Sequence, residues 1–237
     1  MALPVRHASP TTRRSLYYVV ALATLFLVFA GFARTYYLKG LFDTPGLPPL
    51  VHLHGFVMTG WFALLFIQAY LVSTDRTAVH RRLGIAAAGW AVLVLVVGFA
   101  TAIHAARRGF TPGPPPLVFL VVPLMDLLVF GSLTGAALRY RRRSDIHRRL
   151  MLMGSVAILA PAISRLPLAP IQTGGLPVIF GSLLVAATAC VAYDTWRHRR
   201  LHPAFGWSLL AVVASVPLRV ALGGTPAWQR FAAWLIS

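Results

Sequence analysis

The sequence predicts an all-α fold: a polytopic membrane helix bundle with seven transmembrane helices, forming a single integral membrane domain over residues 1–237. Of the 237 residues, 58% are hydrophobic and only 11% are charged. No soluble domain of this length keeps that balance without a very large exposed apolar surface. The apolar residues also fall into runs of about 20, the length needed to cross the hydrocarbon core. We place the spans near residues 16–34, 50–72, 83–105, 117–139, 149–167, 176–194 and 205–222.

The basic residues predict the orientation of these spans. The chain has 22 Lys and Arg against 5 Asp and Glu, a formal net charge of +17. Arginines concentrate in the N-terminal tail and in the gaps before the third, fifth and seventh spans. They include Arg6, Arg13, Arg14, Arg76, Arg81, Arg82, the run from Arg139 to Arg149, Arg197, Arg199 and Arg200. Because arginine-rich short loops stay in the cytoplasm, we predict the N-terminus inside and the C-terminus outside a bacterial inner membrane. The arginines then meet anionic lipid headgroups of the bilayer at the inner face, and nucleic acid is not needed to explain the charge.

The segments around the spans have their own signals. The first span is long for a signal peptide and six further spans follow it, so we predict an uncleaved anchor. The outer gaps "KGLFDTPGLPP" and "RRGFTPGPPPL" are rich in proline and glycine, which predicts turns or extended loops. The C-terminal segment 225–237, "TPAWQRFAAWLIS", places Trp228, Phe231 and Trp234 at helical spacing and predicts an amphipathic helix in the outer interface.

Two similar turns indicate an internal repeat. "VHRRLGIAAAGW" begins at Val79 and "IHRRLMLMGSVA" begins at Ile146. Spans two and three therefore look like a duplicated hairpin matched by spans four and five in the same orientation. His80 and His147 occupy matched positions, where an inner haem or a structural pair could lie. With His198 and His202, they stand beside arginines, a setting typical of solvated or headgroup-facing residues. Asp194 is predicted to neutralise the basic cluster near it.

The second span carries a polar stripe. His54, Met58, Trp61, Leu65 and Gln68 recur at intervals of four and three, which places them on one helix face. Gln68 lies too deep for lipid, so the stripe is predicted to face the bundle interior, with Met58, Trp61 and Gln68 lining a pocket. His52 points roughly to the other side and is either a substitute ligand or a loop residue.

His104 on the third span is the predicted partner of His54. Counting from the inner turn puts the two histidines within a few ångströms of one height on adjacent antiparallel helices. Two such imidazoles can hold haem b by both axial positions, or a metal with a third ligand. The single cysteine, Cys190, leaves no thiolate cluster for a metal. The alternative is that His104, followed by Arg107 and Arg108, marks the wet end of its span.

Three charged residues fall near the outer ends of spans. Asp126 is predicted to be the acidic residue inside a span, with Arg165 and Arg219 as its counter-charges. They form either a buried ion pair that fixes helix packing or a site in which Asp126 handles protons and the arginines anchor haem propionates or another anion. Walker, Rossmann, HExxH and GxSxG patterns do not occur in the sequence.

The run "HLHGFVMTGWFALLFIQAYLV", the two "HRRL" turns, "PAISRLPL" and "LHPAFGW" together resemble a widespread, uncharacterised family of bacterial seven-span membrane proteins. More loosely, histidines at the ends of antiparallel spans are similar to those of the membrane cytochromes b and haem A synthase. That likeness implies haem ligation by His54 with His104, at a single outer haem.

The leading functional expectation is a redox protein that binds haem b or a metal in the outer half of the bundle for electron transfer. The second is a membrane enzyme acting on a lipid-soluble substrate such as a quinone, without haem. The third is a transporter or small-ligand binder that contacts its solute through Asp126 and Arg165. A quinone or a redox partner protein is the partner that the first two imply.

Overall fold

The computed structural model describes residues 10–111 and 113–237, with side chains from residue 16 onward, and its described residues are helical with no strand. In chain order the helices are α1 (Pro10–Phe32), α2 (Pro49–Ser73), α3 (Thr77–Arg107), α4 (Pro116–Phe119), α5 (Val121–Arg139), α6 (Ser144–Ala157), α7 (Ala160–Ile163), α8 (Ala169–Thr173), α9 (Gly175–His198), α10 (Pro203–Gly223) and α11 (Pro226–Ile236). A π-helical turn, Ala33–Tyr37, extends α1, and a 3-10 turn, Lys39–Leu41, follows it. The predicted inner arginines Arg6, Arg13 and Arg14 lie outside the described side chains.

Six segments of the described chain are long and apolar enough to cross a membrane: Leu16–Tyr37, Pro49–Ser73, Thr77–Arg107, Pro116–Arg139, Gly175–His198 and Pro203–Gly223. They correspond to six of the predicted spans. Their outward faces expose large apolar side chains such as Phe26 (69% exposed) and Trp207 (71%). An apolar surface of this extent is typical of a lipid-facing bundle. The expected multi-pass helical membrane protein is therefore confirmed at this level.

The predicted fifth span, 149–167, is not one continuous helix. α6 ends at Ala157, and the short helix α7 begins three residues later. Pro161 explains the break, because proline has no N–H for the carbonyl of Ala157 and its ring clashes with that carbonyl. The helix is therefore interrupted between Ala157 and Ala160.

This broken segment, residues 144–165, is enclosed by the other helices. Between Arg149 and Ile163 nearly every residue is buried, and Met153 and Ser155 are completely so. α1 approaches its backbone closely at Gly31, where an added Cβ would overlap the carbonyl oxygen of Ala162. Glycine at this position lets two helices touch without side chains between them, as is common in membrane bundles.

Three helix-to-helix turns meet at one end of the bundle, which we call the arginine-rich end. The ring centroids of His80 and His147 lie 6.4 Å apart and join the α2–α3 turn to the α5–α6 turn. His202 Nε2 lies 3.2 Å from an Asp145 carboxylate oxygen and joins the α9–α10 turn to them. Prolines at the first turn of α2, α4, α10 and α11 fit the helix starts, where no N–H donor is lost.

At the opposite end, α11 is a helix, as predicted, and packs on the bundle. Trp228 Nε1 donates to the carbonyl of Leu117 (2.8 Å), and Ala232 is completely buried. Arg107 at the end of α3 donates to the carbonyl of Ile236 (2.8 Å). Trp234 remains 66% exposed, so the outward face of α11 keeps the aromatic character expected at an interface.

Candidate functional site

A buried ion pair lies in the half of the bundle farther from the arginine-rich end. Asp126 near the start of α5 and Arg219 near the end of α10 are 6% and 4% exposed, and Arg219 Nη2 lies 2.8 Å from Asp126 Oδ1. The sequence proposed Arg165 and Arg219 as counter-charges of Asp126, and Arg219 is the one the structure pairs with it. The contact is short but is not aligned as a hydrogen bond, since Oδ1 has no hydrogen-bond partner among the described residues.

The surroundings of Arg219 leave part of its guanidinium group unused. Nη2 donates to Ser215 Oγ (3.2 Å), and the guanidinium carbon lies 4.7 Å from the centre of the Phe180 ring. Nε and Nη1 are buried and have no acceptor among the described residues. A buried donor without a partner costs about 1–3 kcal/mol, and more when the group is charged. A further anionic or polar group beside Nε and Nη1 would offset that cost.

The helices around the ion pair are irregular. Besides the break before Pro161, α10 carries Pro217 two residues before Arg219. Pro217 cannot donate to the carbonyl of Val213, so that carbonyl loses its helical partner. Interrupted helices inside a membrane bundle are tolerated where other groups satisfy the freed backbone, and in transporters they surround the ligand site.

His54 and Arg165 form a second polar group on the same side of the bundle. His54 Nδ1 is buried with no hydrogen-bond partner among the described residues, and Arg165 lies close enough to act on the ring electrostatically. Arg165 Nη1 donates to the carbonyl of Pro161 (2.8 Å), and its guanidinium group lies over the ring of Phe32 (4.8 Å). Arg165 thus caps the broken segment, and it has no carboxylate partner among the described side chains.

His54 and His104 do not lie at one height. Gly60 faces Trp90, and Gln68 faces Gly84, which fixes the register of α2 against α3. From these two reference points, His104 lies six to eight residues, or ~9–12 Å, farther toward the helix end than His54 does. Their predicted equal height is therefore wrong. The physical reason is that α3 begins at Thr77, several residues before the predicted span, so counting from the assumed start shifted the register. His104 Nε2 is itself buried without a partner among the described residues.

Part of the polar stripe on α2 packs in the protein core instead of lining a pocket. Trp61 is 2% exposed, donates from Nε1 to Ser155 Oγ (3.1 Å), and meets the Phe130 ring edge-on at 5.0 Å. The Met58 methyl group packs against Gly98 of α3. Both are therefore core residues in this structure.

His52 and Gln68, two further α2 residues predicted to belong to the site, lie away from His54. Gln68 belongs to the arginine-rich end, where its amide lies between His80 and Gly84; with the nitrogen toward His80 Nδ1, the oxygen accepts from the Gly84 N–H (3.1 Å). His52 is exposed, and its carbonyl accepts from the Tyr36 hydroxyl (3.1 Å).

A second buried ion pair, which the sequence did not predict, lies at the arginine-rich end. Arg149 Nε and Nη2 both donate to the Asp194 carboxylate at 2.8–2.9 Å, and the two residues are 2% and 1% exposed. Asp194 was predicted to neutralise the basic cluster beside it in the sequence, but its carboxylate pairs with Arg149 of α6 and lies 3.3 Å from His198 Nδ1. Because α9 continues to His198, this carboxylate is enclosed. Arg149 shows no sequence signal that separates it from its arginine neighbours.

The four histidines of the arginine-rich end, His80, His147, His198 and His202, are half-buried and contact other protein groups. His147 Nδ1 lies 2.9 Å from the carbonyl of Ala137, and His198 Nδ1 lies 2.8 Å from the carbonyl of Asp194. The paired rings of His80 and His147 fit the structural pair that their matched positions allowed.

No cluster of three or more His, Cys, Asp or Glu side chains arranged for a metal occurs among the described residues. No protein-family model, curated protein or solved structure matches the chain. Its fold and its polar sites are therefore the grounds on which a function is inferred.

Proposed function

We propose that this protein binds a small anion at Arg219, in the outer half of a bundle that crosses the bacterial inner membrane, as the solute-binding step of a proton-coupled transporter. The observation that carries the proposal is the guanidinium group of Arg219. It is 4% exposed, is paired through one nitrogen, and has two buried nitrogens without acceptors among the described residues. Anionic oxygen is the partner that such a group binds most strongly.

Seven crossings with the N-terminus inside are the topology that best fits these helices. The broken segment supports a fifth crossing, because Arg149 contacts Asp194 at the arginine-rich end while Ala162 contacts Gly31 near the other end. Seven crossings keep all arginine-rich turns on one side, which the positive-inside rule assigns to the cytoplasm. The contact of His80 with His147 agrees with two hairpins of duplicated origin.

Asp126 supplies the link to protons. Its carboxylate balances the charge of Arg219, so the buried pair is neutral. When a ligand anion binds the unpaired nitrogens of Arg219, two negative charges would share one buried cation, which costs several kcal/mol. Uptake of one proton by Asp126 restores neutrality. Anion binding and proton uptake are therefore coupled at this pair.

The test uses acetate and benzoate as probe anions and a pH-sensitive dye in weakly buffered solution. Wild-type protein is expected to take up about one proton per anion bound, because the site stays neutral. Arg219→Gln should weaken anion binding at least ~10-fold, since the buried cation is gone. Asp126→Asn should bind the anion without proton uptake.

Arg230→Gln is the matched control, because Arg230 is an exposed arginine on α11 at the same end of the bundle. It should bind both anions and take up protons as the wild type does. Wild-type protein that binds neither anion, or an Asp126→Asn variant with undiminished proton uptake, would contradict the proposal.

Haem or metal binding at His54 is a second candidate. Its support is the buried Nδ1 atom without a partner among the described residues, together with the nearby charge of Arg165, which suits a haem propionate. Because His104 lies at another height, His54 would supply one axial ligand rather than half of a pair with His104.

The visible spectrum of the purified protein tests this candidate. A Soret band should be present in the wild type and in His52→Ala, whose ring is exposed, and absent from His54→Ala. A colourless wild-type preparation with no transition metal by elemental analysis would rule it out.

A further inference from the structure

A cavity of about 140 Å³ opens at the arginine-rich end, far from the Asp126–Arg219 pair. Its lining is almost entirely cationic or imidazole: Asp145, Arg148, Arg149, His198, Arg200 and His202. The volume equals that of about four to five waters, which is enough for one phosphate group. The anion binding proposed at Arg219 does not use this cavity.

Part of the lining already makes hydrogen bonds within the protein and forms the wall of the cavity. Arg149 bonds through all three nitrogens, with Nε and Nη2 on Asp194 and Nη1 on the carbonyl of Asp145 (2.8 Å). His202 Nδ1 accepts from the N–H of Ala204 (3.2 Å), so its proton is on Nε2 and is donated to the Asp145 carboxylate. These groups hold the shape of the cavity: Arg149 keeps one N–H on Nη1 beyond these bonds, and the ring of His202 has no donor left.

The guanidinium groups of Arg148 and Arg200 make none of these hydrogen bonds. Arg148 lies over the Tyr17 ring (5.1 Å) with its Nε buried and without a partner among the described residues. Arg200 has no carboxylate partner among the described residues and lies at the exposed mouth. With Arg149, the cavity and its wall hold three guanidinium groups against the carboxylates of Asp145 and Asp194, which leaves an excess of positive charge.

We propose that this cavity binds a phosphate group, with Arg148 and Arg200 as its ligands. Guanidinium forks match phosphate oxygens, and a tetrahedral anion can accept from two arginines on different sides. The first turn of α6, which begins at Ser144, adds the positive end of a 14-residue helix dipole at the same place. The phosphate is carried either by an anionic lipid headgroup, since the cavity lies at an end of the bundle, or by a soluble phosphate ester or inorganic phosphate.

The experiment compares two double variants that lose the same charge. Arg148→Gln/Arg200→Gln removes the two ligands, whereas Arg82→Gln/Arg142→Gln removes two exposed arginines of the same end that do not line the cavity. The thermal unfolding midpoint of the full-length protein is titrated with inorganic phosphate against chloride at equal ionic strength. A parallel titration uses short-chain phosphatidylglycerol against a diacylglycerol without phosphate.

Wild type and the Arg82/Arg142 variant should be stabilised with the same apparent affinity, and the Arg148/Arg200 variant should bind at least ~10-fold more weakly. Stabilisation by phosphatidylglycerol alone would identify a headgroup site, and stabilisation by inorganic phosphate as well would identify a site for free phosphate or its esters. An equal response of both variants, or no response of the wild type to either probe, would overturn the proposal.

Discussion

Replacing Asp194 by alanine is expected to lower the free energy of unfolding by about 3–5 kcal/mol, the cost of breaking a buried ion pair by removing one partner. The loss is large because Arg149 is 2% exposed and keeps its charge, so the guanidinium group would remain buried with only the carbonyl of Asp145 as acceptor. Thermal unfolding of the purified protein, followed by tryptophan fluorescence, measures the effect.

Asp145→Ala is the control for that measurement. Its carboxylate side chain is 49% exposed and contacts His202, so its removal should cost less than about 1 kcal/mol. A double variant, Arg149→Met/Asp194→Leu, should recover much of the lost stability, because it removes the unpaired charge as well as the pair. If Asp145→Ala and Asp194→Ala lost equal stability, burial of the Arg149–Asp194 pair would not explain how much the pair stabilises the fold.

Most of the fold follows from quantities that a sequence carries directly. Six apolar runs of about 20 residues became six long helical segments, because length and hydropathy are local properties; the largest difference from the predicted ends is the start of α3 at Thr77 instead of residue 83. The amphipathic C-terminal segment likewise became α11. The internal repeat stays a prediction, and the two histidines that it matched, His80 and His147, have rings in contact.

The features that the sequence predicted incorrectly depend on packing against other helices rather than on the local sequence pattern. The predicted fifth span is surrounded by protein rather than lipid, so it can be short and polar. It is therefore broken at Pro161 instead of forming one continuous helix. Arg165 and Arg219 lie at similar predicted depths, and depth alone does not say which of them faces Asp126. The same holds for Arg149, whose partner comes from a helix 45 positions away.

The two residues of the Asp126–Arg219 pair are expected to respond unequally to substitution. Removing the arginine leaves a carboxylate, which can become neutral by taking up a proton, whereas removing the carboxylate leaves a guanidinium group, which cannot lose its charge in a protein. Asp126→Asn should therefore cost about 3–5 kcal/mol, as for a buried pair with one partner removed. Arg219→Gln should cost measurably less, because Asp126 is free to neutralise itself.

Thermal unfolding of the two single variants and of Asp126→Asn/Arg219→Gln completes a double-mutant cycle for this pair. The double variant should be more stable than Asp126→Asn alone, since the unpaired cation is then absent, and Arg230→Gln should match the wild type because that arginine is exposed. If the two single variants lost equal stability, Asp126 would not be able to take up a proton inside the bundle. Binding of a ligand anion beside its carboxylate would then have no way to keep the site neutral, so this cycle also tests the chemistry on which anion binding at Arg219 depends.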